Sequence, residues 1–217
     1  MKKGIYDILK IYWNALEFLP GQKKAINAIL DNKDCLVVLQ TGGGKSLCYQ
    51  LPTLTKPGLC VVISPLIALM NDQVEGLKKK GVRAMNLSGP MREDDLVTAL
   101  DNCKFGEFKF LYLSPERAQH PLVQDRLSEI KLCLLAIDEA HCISEWGHDF
   151  RPAYREIIGL KNKLFNTPTI ALTATATKRV KEDICKVLEL KHPVRITYSF
   201  DRPNIEIKVL KTVNKLE

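Results

Sequence analysis

Six short runs of aliphatic and β-branched residues recur through the chain: "CLVVLQ", "LCVVIS", "VRAMNL", "FKFLYLS", "LCLLAID" and "TIALTA". Near-continuous apolar runs of this length suit strands buried on both faces, unlike the strict alternation of a half-solvated sheet. Between several of them lie longer segments with helical spacing, "LIALMNDQVEGLKKK", "MREDDLVTALDNC" and "KRVKEDICKVLEL". A strand that returns to its sheet through a helix pairs in parallel, whereas an antiparallel partner needs only a short turn. The expected fold is therefore α/β, a mostly parallel central sheet with helices on both faces. Two further runs, "VRITYSF" and "IEIKVLK", close the chain.

Polar, hydroxyl-rich or Gly-rich clusters follow five of these runs: "TGGGKS", Ser64-Pro65, "SPER" from Ser114, "DEAH" from Asp138, and "TATAT" from Thr173. Parallel strands point the same way, so these clusters should gather along the carboxyl rim, where open α/β sheets bind ligands.

With 217 residues, 46% hydrophobic and 26% charged, the chain can bury a sizeable core as one large domain. No apolar run approaches the roughly 18 residues of a membrane helix, and Asp7 and Lys10 interrupt any leader-like start, so an intracellular protein with no membrane partner is expected. Seven scattered cysteines, an odd number without a Cys-x-x-Cys pair, suggest reduced thiols packed in the core. The net charge is +7, and residues 161–217 hold 12 Lys and Arg against 6 Asp and Glu. A basic segment can face a polyanion such as nucleic acid or simply be solvated; charge alone does not decide.

"LQTGGGKSLCYQ" stands between a strand run and a helix. Gly42, Gly43 and Gly44 can turn successive N–H groups toward a polyphosphate at the positive end of that helix. Lys45 then reaches the β- and γ-phosphates and the Ser46 hydroxyl ligates Mg²⁺. The general phosphate-loop pattern asks for Gly at position 39, where Leu39 stands. Asp138 and Glu139 end the run "LCLLAID"; paired with such a loop, the first acid suits the metal and the second suits activation of a water.

These motifs, with "VVISPLIALMNDQV", "LYLSPERA", "IDEAHCISEWGHDFRPAY", "ALTATAT" and "SFDRPNI", resemble the RecQ family of DExH-box DNA helicases over residues 18–204. The resemblance implies a RecA-like (P-loop NTPase) three-layer sandwich over residues 1–207, with residues 208–217 starting a linker to a second RecA-like domain that supplies an arginine finger. It implies ATP and Mg²⁺ as cofactors, single-stranded and partly duplex DNA as partner, 3′ to 5′ unwinding, and a monomer. The catalytic set becomes Lys45, Asp138, Glu139 and His141, and the nucleotide set Gln22 with Thr41, Gly42, Gly43, Gly44, Lys45 and Ser46. Ser46 and Asp138 are the metal ligands. Ser64, Pro65, Ser114 and Arg117 are the candidates for gripping a DNA backbone, Trp146, His148, Phe150 and Arg151 for sensing a single strand, and Thr173 and Thr175 for coupling. The residue chemistry agrees: rings stack on unpaired bases, and Arg binds phosphate.

Two positions depart from the family. Leu19 stands where Arg is usual, and Ala15 where an aromatic ring or His stacks on the base. Losing both weakens adenine recognition by about 1–3 kcal/mol; Tyr12 and Trp13 are the nearby rings. A chain of this extent, alone, is expected to bind nucleotide weakly, hydrolyse little and unwind nothing. The alternatives are a non-hydrolysing nucleotide- or DNA-binding module and a DExH-box RNA helicase. A metabolic phosphate-loop kinase fits less well, because its chemistry has no use for the aromatic segment.

Overall fold

A computed structural model describes residues 4–198. Among these, seven strands form one sheet: β1 (Cys35–Val38), β2 (Leu59–Ile63), β3 (Ala84–Asn86), β4 (Phe110–Leu113), β5 (Leu132–Ile137), β6 (Thr169–Thr173) and β7 (Val194–Thr197). Their order is β3-β4-β2-β5-β6-β1-β7, and every pairing is parallel. All seven coincide with apolar runs read from the sequence. The eighth run, "IEIKVLK", and the boundary at residue 207 lie outside the described residues.

The absence of alternation has its expected cause. All residues of β1, β2, β4 and β6 are buried, because both faces carry helices. Leu36 and Val38 join the cluster under helices Glu93–Phe105, Pro121–Ser128 and Lys178–Val187. Cys35 and Val37 point the other way, into the cluster under helices Gln22–Leu30, Lys45–Thr55 and Ile67–Lys79. Helix Ile5–Trp13 adds a small third cluster through Ile8 and Leu9, packed on Ile26 and Leu51. The result is a three-layer α/β sandwich. All seven cysteines are free thiols and six are buried, Cys185 being half-buried, so they serve as core packing. No described helix is long and apolar enough to cross a membrane.

Strand register sets which loops share a rim. Val38 of β1 lies opposite Thr173 of β6, Ile137 of β5 opposite Ala171 of β6, and Ile63 of β2 opposite both Ile137 and Leu113. The residues just after β1, β2, β4, β5 and β6 therefore emerge on one rim, and these are the five polar clusters.

Candidate active site

The loop after β1 turns into helix Lys45–Thr55 through Gly42 (φ 84°) and Gly44 (φ 67°), both left-handed. A side chain at Gly44 would be strained and would also strike Gln22 Nε2. The Gly43 amide donates to Gln40 O at 2.9 Å, which closes the turn. The helix has no side-chain cap on its first N–H groups, so the positive end of its dipole faces the loop. Thr41, Gly42, Gly43 and Gly44 thus form a concave backbone turn at a helix N-terminus, with Lys45 and Ser46 in the first turn. Lys45 Nζ donates to Leu39 O at 3.4 Å, a long contact that a phosphate can displace.

Asp138 and Glu139 follow β5, two strands away across β6. The Asp138 amide donates to Ile63 O at 2.9 Å and Tyr154 Oη donates to Asp138 O at 2.9 Å, so its backbone is fixed on both sides. Burial, and next the charge of Glu139, push the Asp138 carboxyl up to about 6, opposed by the Glu139 amide and by Lys45. Glu139 takes a left-handed φ of 47°, uncommon for a non-glycine residue, which swings its carboxylate back toward His141. Its pKa is lowered first by the His141 hydrogen bond, then by Lys45 and the histidines, against desolvation. Lys45 is therefore near enough for its charge to act on both acids.

His141 is buried in the short 3₁₀ helix Ala140–Ile143. Its Nδ1 lies 3.3 Å from Glu139 Oε2 and 2.9 Å from Thr173 Oγ1. Thr173 Oγ1 in turn donates to Thr175 O at 3.1 Å, so the water-activating candidate is linked to the β6 loop through one imidazole.

The aromatic segment leaves directly from this helix. The Arg151 amide donates to Cys142 O at 2.9 Å and the Gly147 amide to Ser144 O at 2.9 Å, folding Ser144 to Arg151 into a compact loop. A Cβ on Gly147 would come within 2.6 Å of His141 O, so only glycine permits that approach. His148 stacks on His141 with centroids 4.4 Å apart. Trp146 is 59% exposed, and the guanidinium of Arg179 sits 3.3 Å from its ring centre. Arg155 lies over Phe150 at 5.8 Å, and Arg151 pairs with Asp149 at 3.7 Å and reaches Pro65 O at 3.5 Å.

The remaining candidates are placed less simply. Pro65, Ser114 and Arg117 line one surface hollow of about 390 Å³. Within it Ser114 Oγ caps helix Pro115–Gln119 by accepting from the Arg117 amide, and the Arg117 guanidinium donates to Leu87 O and Gly89 O, so both already do structural work. Ser64 is buried and its hydroxyl has no protein partner. Gln22 comes to the phosphate loop, but its amide is turned inward rather than toward a base: Oε1 accepts from the Leu19 amide at 2.9 Å, and Nε2 donates to Gly43 O and Gly44 O at 3.2 Å each. Of the two nearby rings, Tyr12 packs into the core while Trp13 lines a cleft of about 500 Å³ with Ala15, Leu19, Gln22, Gly44 and Ser46, under the ammonium of Lys80 at 4.3 Å. The cleft thus holds a ring and a cation although Ala15 and Leu19 supply neither.

Sequence reasoning missed Arg179 and Tyr154. Tyr154 lies inside the "GHDFRPAY" stretch, where nothing in the spacing hints at the Asp138 contact. Arg179 sits two residues into a helix capped by Thr177, between Lys178 and Lys181, where no single cation stands out.

Residues 19–184 match the family model for the DEAD/DEAH box helicase. The chain is 45% identical over 207 residues to "Probable ATP-dependent DNA helicase RecS" of Bacillus subtilis, across 95% of this chain and 41% of that protein. It is 43% identical over 216 residues to "ATP-dependent DNA helicase RecQ" of Haemophilus influenzae, across 100% of this chain and 35% of that protein. The chain therefore spans about two fifths or less of these relatives. In fold it is similar to the Pyrococcus furiosus Hef helicase domain, with a TM-score of 0.62 at 23% identity, covering 81% of this chain and 37% of that one.

Proposed function

Because this chain belongs to the DEAD/DEAH box helicase family, we propose that it is the first RecA-like motor domain of a RecQ-type, ATP-dependent DNA helicase moving 3′ to 5′. The observation that carries this reading is the hydrogen-bonded line from Glu139 through His141 to Thr173, rooted in the same 3₁₀ helix as the aromatic loop.

The residues fit ATP and Mg²⁺. The glycine turn leaves room where a polyanion must approach, and the Ser46 hydroxyl and a costly buried Asp138 carboxylate are suitable oxygen donors for a hard cation. Mg²⁺, when bound, supplies positive charge to the β- and γ-phosphates. Ser46 and Asp138 would hold it, and Lys45 and the amides of Thr41 to Gly44 would orient the triphosphate. Glu139, kept ionised by His141, positions a water and accepts its proton. Gln22 faces the adenine only if it exchanges its loop carbonyls for the base, and Trp13 offers the stacking surface. Trp146, His148, Phe150 and Arg151 report single-stranded DNA to Glu139 through His141, while Thr173 and Thr175 link that signal to β6. Ser64, Pro65, Ser114 and Arg117 belong to a backbone-binding edge in which Arg117 first orders the Leu87–Gly89 loop. A second RecA-like domain beyond residue 207 completes the transition state, and a monomer working inside the cell is the form we infer.

DNA-stimulated ATP hydrolysis by the full-length helicase tests the reading. Lys45→Ala and Glu139→Gln should each lower it by at least about 10²-fold; unchanged turnover in both variants sinks the motor assignment. Competition between matched DNA and RNA strands separates the DNA track from an RNA one, and the 217-residue chain alone should show little turnover.

A further inference from the structure

The Cys142 thiol stands between two acceptors that belong to different segments. His141 Nε2 is 3.7 Å from its sulfur and Asp149 Oδ2 is 3.8 Å away. One ligand atom from each of the three residues falls within 4.8 Å of the other two, and among the described residues no other trio of His, Cys and acidic donors does so. Tetrahedral zinc, with bonds of about 2.3 Å to sulfur and 2.0 Å to nitrogen, sets neighbouring ligand atoms about 3.5 Å apart, so the sulfur contacts need only a small contraction.

The groups that would support these ligands are also in place. His141 Nδ1 faces Glu139 Oε2 and Thr173 Oγ1, which fixes the tautomer with hydrogen on Nδ1 and leaves the Nε2 lone pair directed at the thiol. A carboxylate behind a ligating imidazole is the usual support of a protein-bound transition metal. An opening of about 500 Å³, lined by His141, Trp146, Gly147, His148 and Thr175, reaches His141 from solvent, and the exposed Asp149 stands at the other side of the thiol. Asp149 is exposed and can leave Arg151, its present partner.

We propose that His141, Cys142 and Asp149 form a site for a thiophilic divalent cation, Zn²⁺ or Co²⁺, with water in the fourth position. Binding breaks the S–H bond of Cys142 and forms a sulfur–metal bond, the proton passing to solvent. His141 gives its Nε2 lone pair and keeps its Nδ1 hydrogen, Asp149 gives one oxygen, and no oxidation state changes. The ion ties the aromatic loop to the imidazole that joins Glu139 to Thr173. Where the motor reading holds, loading therefore opposes DNA-stimulated hydrolysis; the site itself does not depend on that reading.

The test is a Co²⁺ titration of the 217-residue chain, followed by near-ultraviolet absorption. A thiolate-to-cobalt band saturating at one ion per chain, displaced by Zn²⁺, is expected. Cys142→Ser should lose the band with its circular dichroism intact, and Asp149→Asn, a milder change that keeps the buried thiol, should weaken binding at least tenfold. Glu139→Gln should weaken it about 10–100-fold while keeping the band, as for loss of a supporting carboxylate. No band in the unaltered chain, or an equal band in folded Cys142→Ser or Asp149→Asn, overturns the site. If the band behaves as expected but Zn²⁺ leaves DNA-stimulated turnover of the full-length protein untouched, the ion site stands and its regulatory consequence falls. Absence of turnover without Zn²⁺ counts against the motor reading alone.

Discussion

At the amino ends of the strands, Asp34 accepts from the Thr169 amide and from the Lys191 amide, both at 2.8 Å. Lys109 donates there to Lys56 O and Gly58 O at 2.7 and 3.2 Å, and Lys56 to Ile29 O and Asn32 Oδ1 at 3.0 and 2.6 Å. Each of these charges holds one connection against another. At the carboxyl ends the same residue types stand differently. Burial and the neighbouring Glu139 raise the cost of ionising Asp138, Glu139 itself is held ionised by His141 against its own burial, and the buried Gln40 Oε1 and Ser64 Oγ have no protein partner. Buried polar groups are normally satisfied; Thr169 Oγ1 at the amino end of β6 also lacks a partner, but only at the carboxyl rim do such groups stand beside a carboxylate whose ionisation burial opposes, the combination that points to a ligand. An acid that closes backbone bonds is architecture; an acid that raises the energy of the free protein is equipment.

Two substitutions at the carboxyl rim and one at the amino rim can break this contrast. Lys45→Ala should lower ATP turnover of the full-length helicase by about 10²–10³-fold, the scale for losing one charge-stabilising donor, while the chemical unfolding midpoint stays put. Asp34→Ala should do the reverse. Stranding two backbone donors costs about 2–4 kcal/mol, visible as a lower urea midpoint with unchanged nucleotide affinity per folded molecule. If Asp34→Ala instead abolished nucleotide binding at full foldedness, the division of labour between the rims would be wrong.

Asp138→Asn sharpens the comparison because its sign is opposite to Asp34→Ala. The Asp138 carboxyl is raised from 3.8 to about 6 in the folded chain, so the fold binds this proton more tightly than the unfolded chain does. Stability is then lost as pH rises between those values, and above about 6 the full penalty applies. At about 1.4 kcal/mol per unit the ceiling is roughly 3 kcal/mol. Metal-free Asp138→Asn should accordingly melt higher than the unaltered chain at about pH 8 and equal to it at about pH 3. Lower melting on the alkaline side would mean the carboxylate is stabilising and the rim is ordinary structure. For the same reason Mg²⁺-dependent nucleotide affinity should rise as pH passes about 6, since a hard cation needs the ionised oxygen.

Much of this architecture is legible in the sequence. The continuous apolar runs name the seven strands because burial on both faces removes the alternation that would make them ambiguous, and "TGGGKS" and "DEAH" fall at strand ends whose common direction sets the rim. What the sequence hides depends on tertiary contact. The motif around Gln22 points its amide at a base, yet Gly44 lacks a Cβ and lets that amide close on the loop itself. Ser114 and Arg117 read as phosphate ligands, whereas capping and the Leu87–Gly89 carbonyls hold them here. Trp13 can be named as a spare ring but not aimed, because helix Ile5–Trp13 carries no signal for the direction in which its last residue faces.

The smallest effect concerns Arg179 and Trp146, which fasten the aromatic loop to the start of helix Lys178–Val187 at a second point, beside the His141–Thr173 bond. Both side chains are exposed, so the cation–π contact is worth about 0.5–1 kcal/mol, too little to matter for folding. It is comparable, though, with the roughly 1–3 kcal/mol of one base stacking on an aromatic ring. A base that stacks on the face Arg179 covers must first displace it. Arg179→Ala should therefore leave the melting temperature nearly unchanged, red-shift the Trp146 fluorescence and strengthen single-strand quenching of that emission a few-fold, measured in a Trp13→Phe background so that one indole reports. Weaker quenching would show instead that Arg179 holds the strand together with the ring, and that the carboxyl rim keeps this cation, too, ready for a partner.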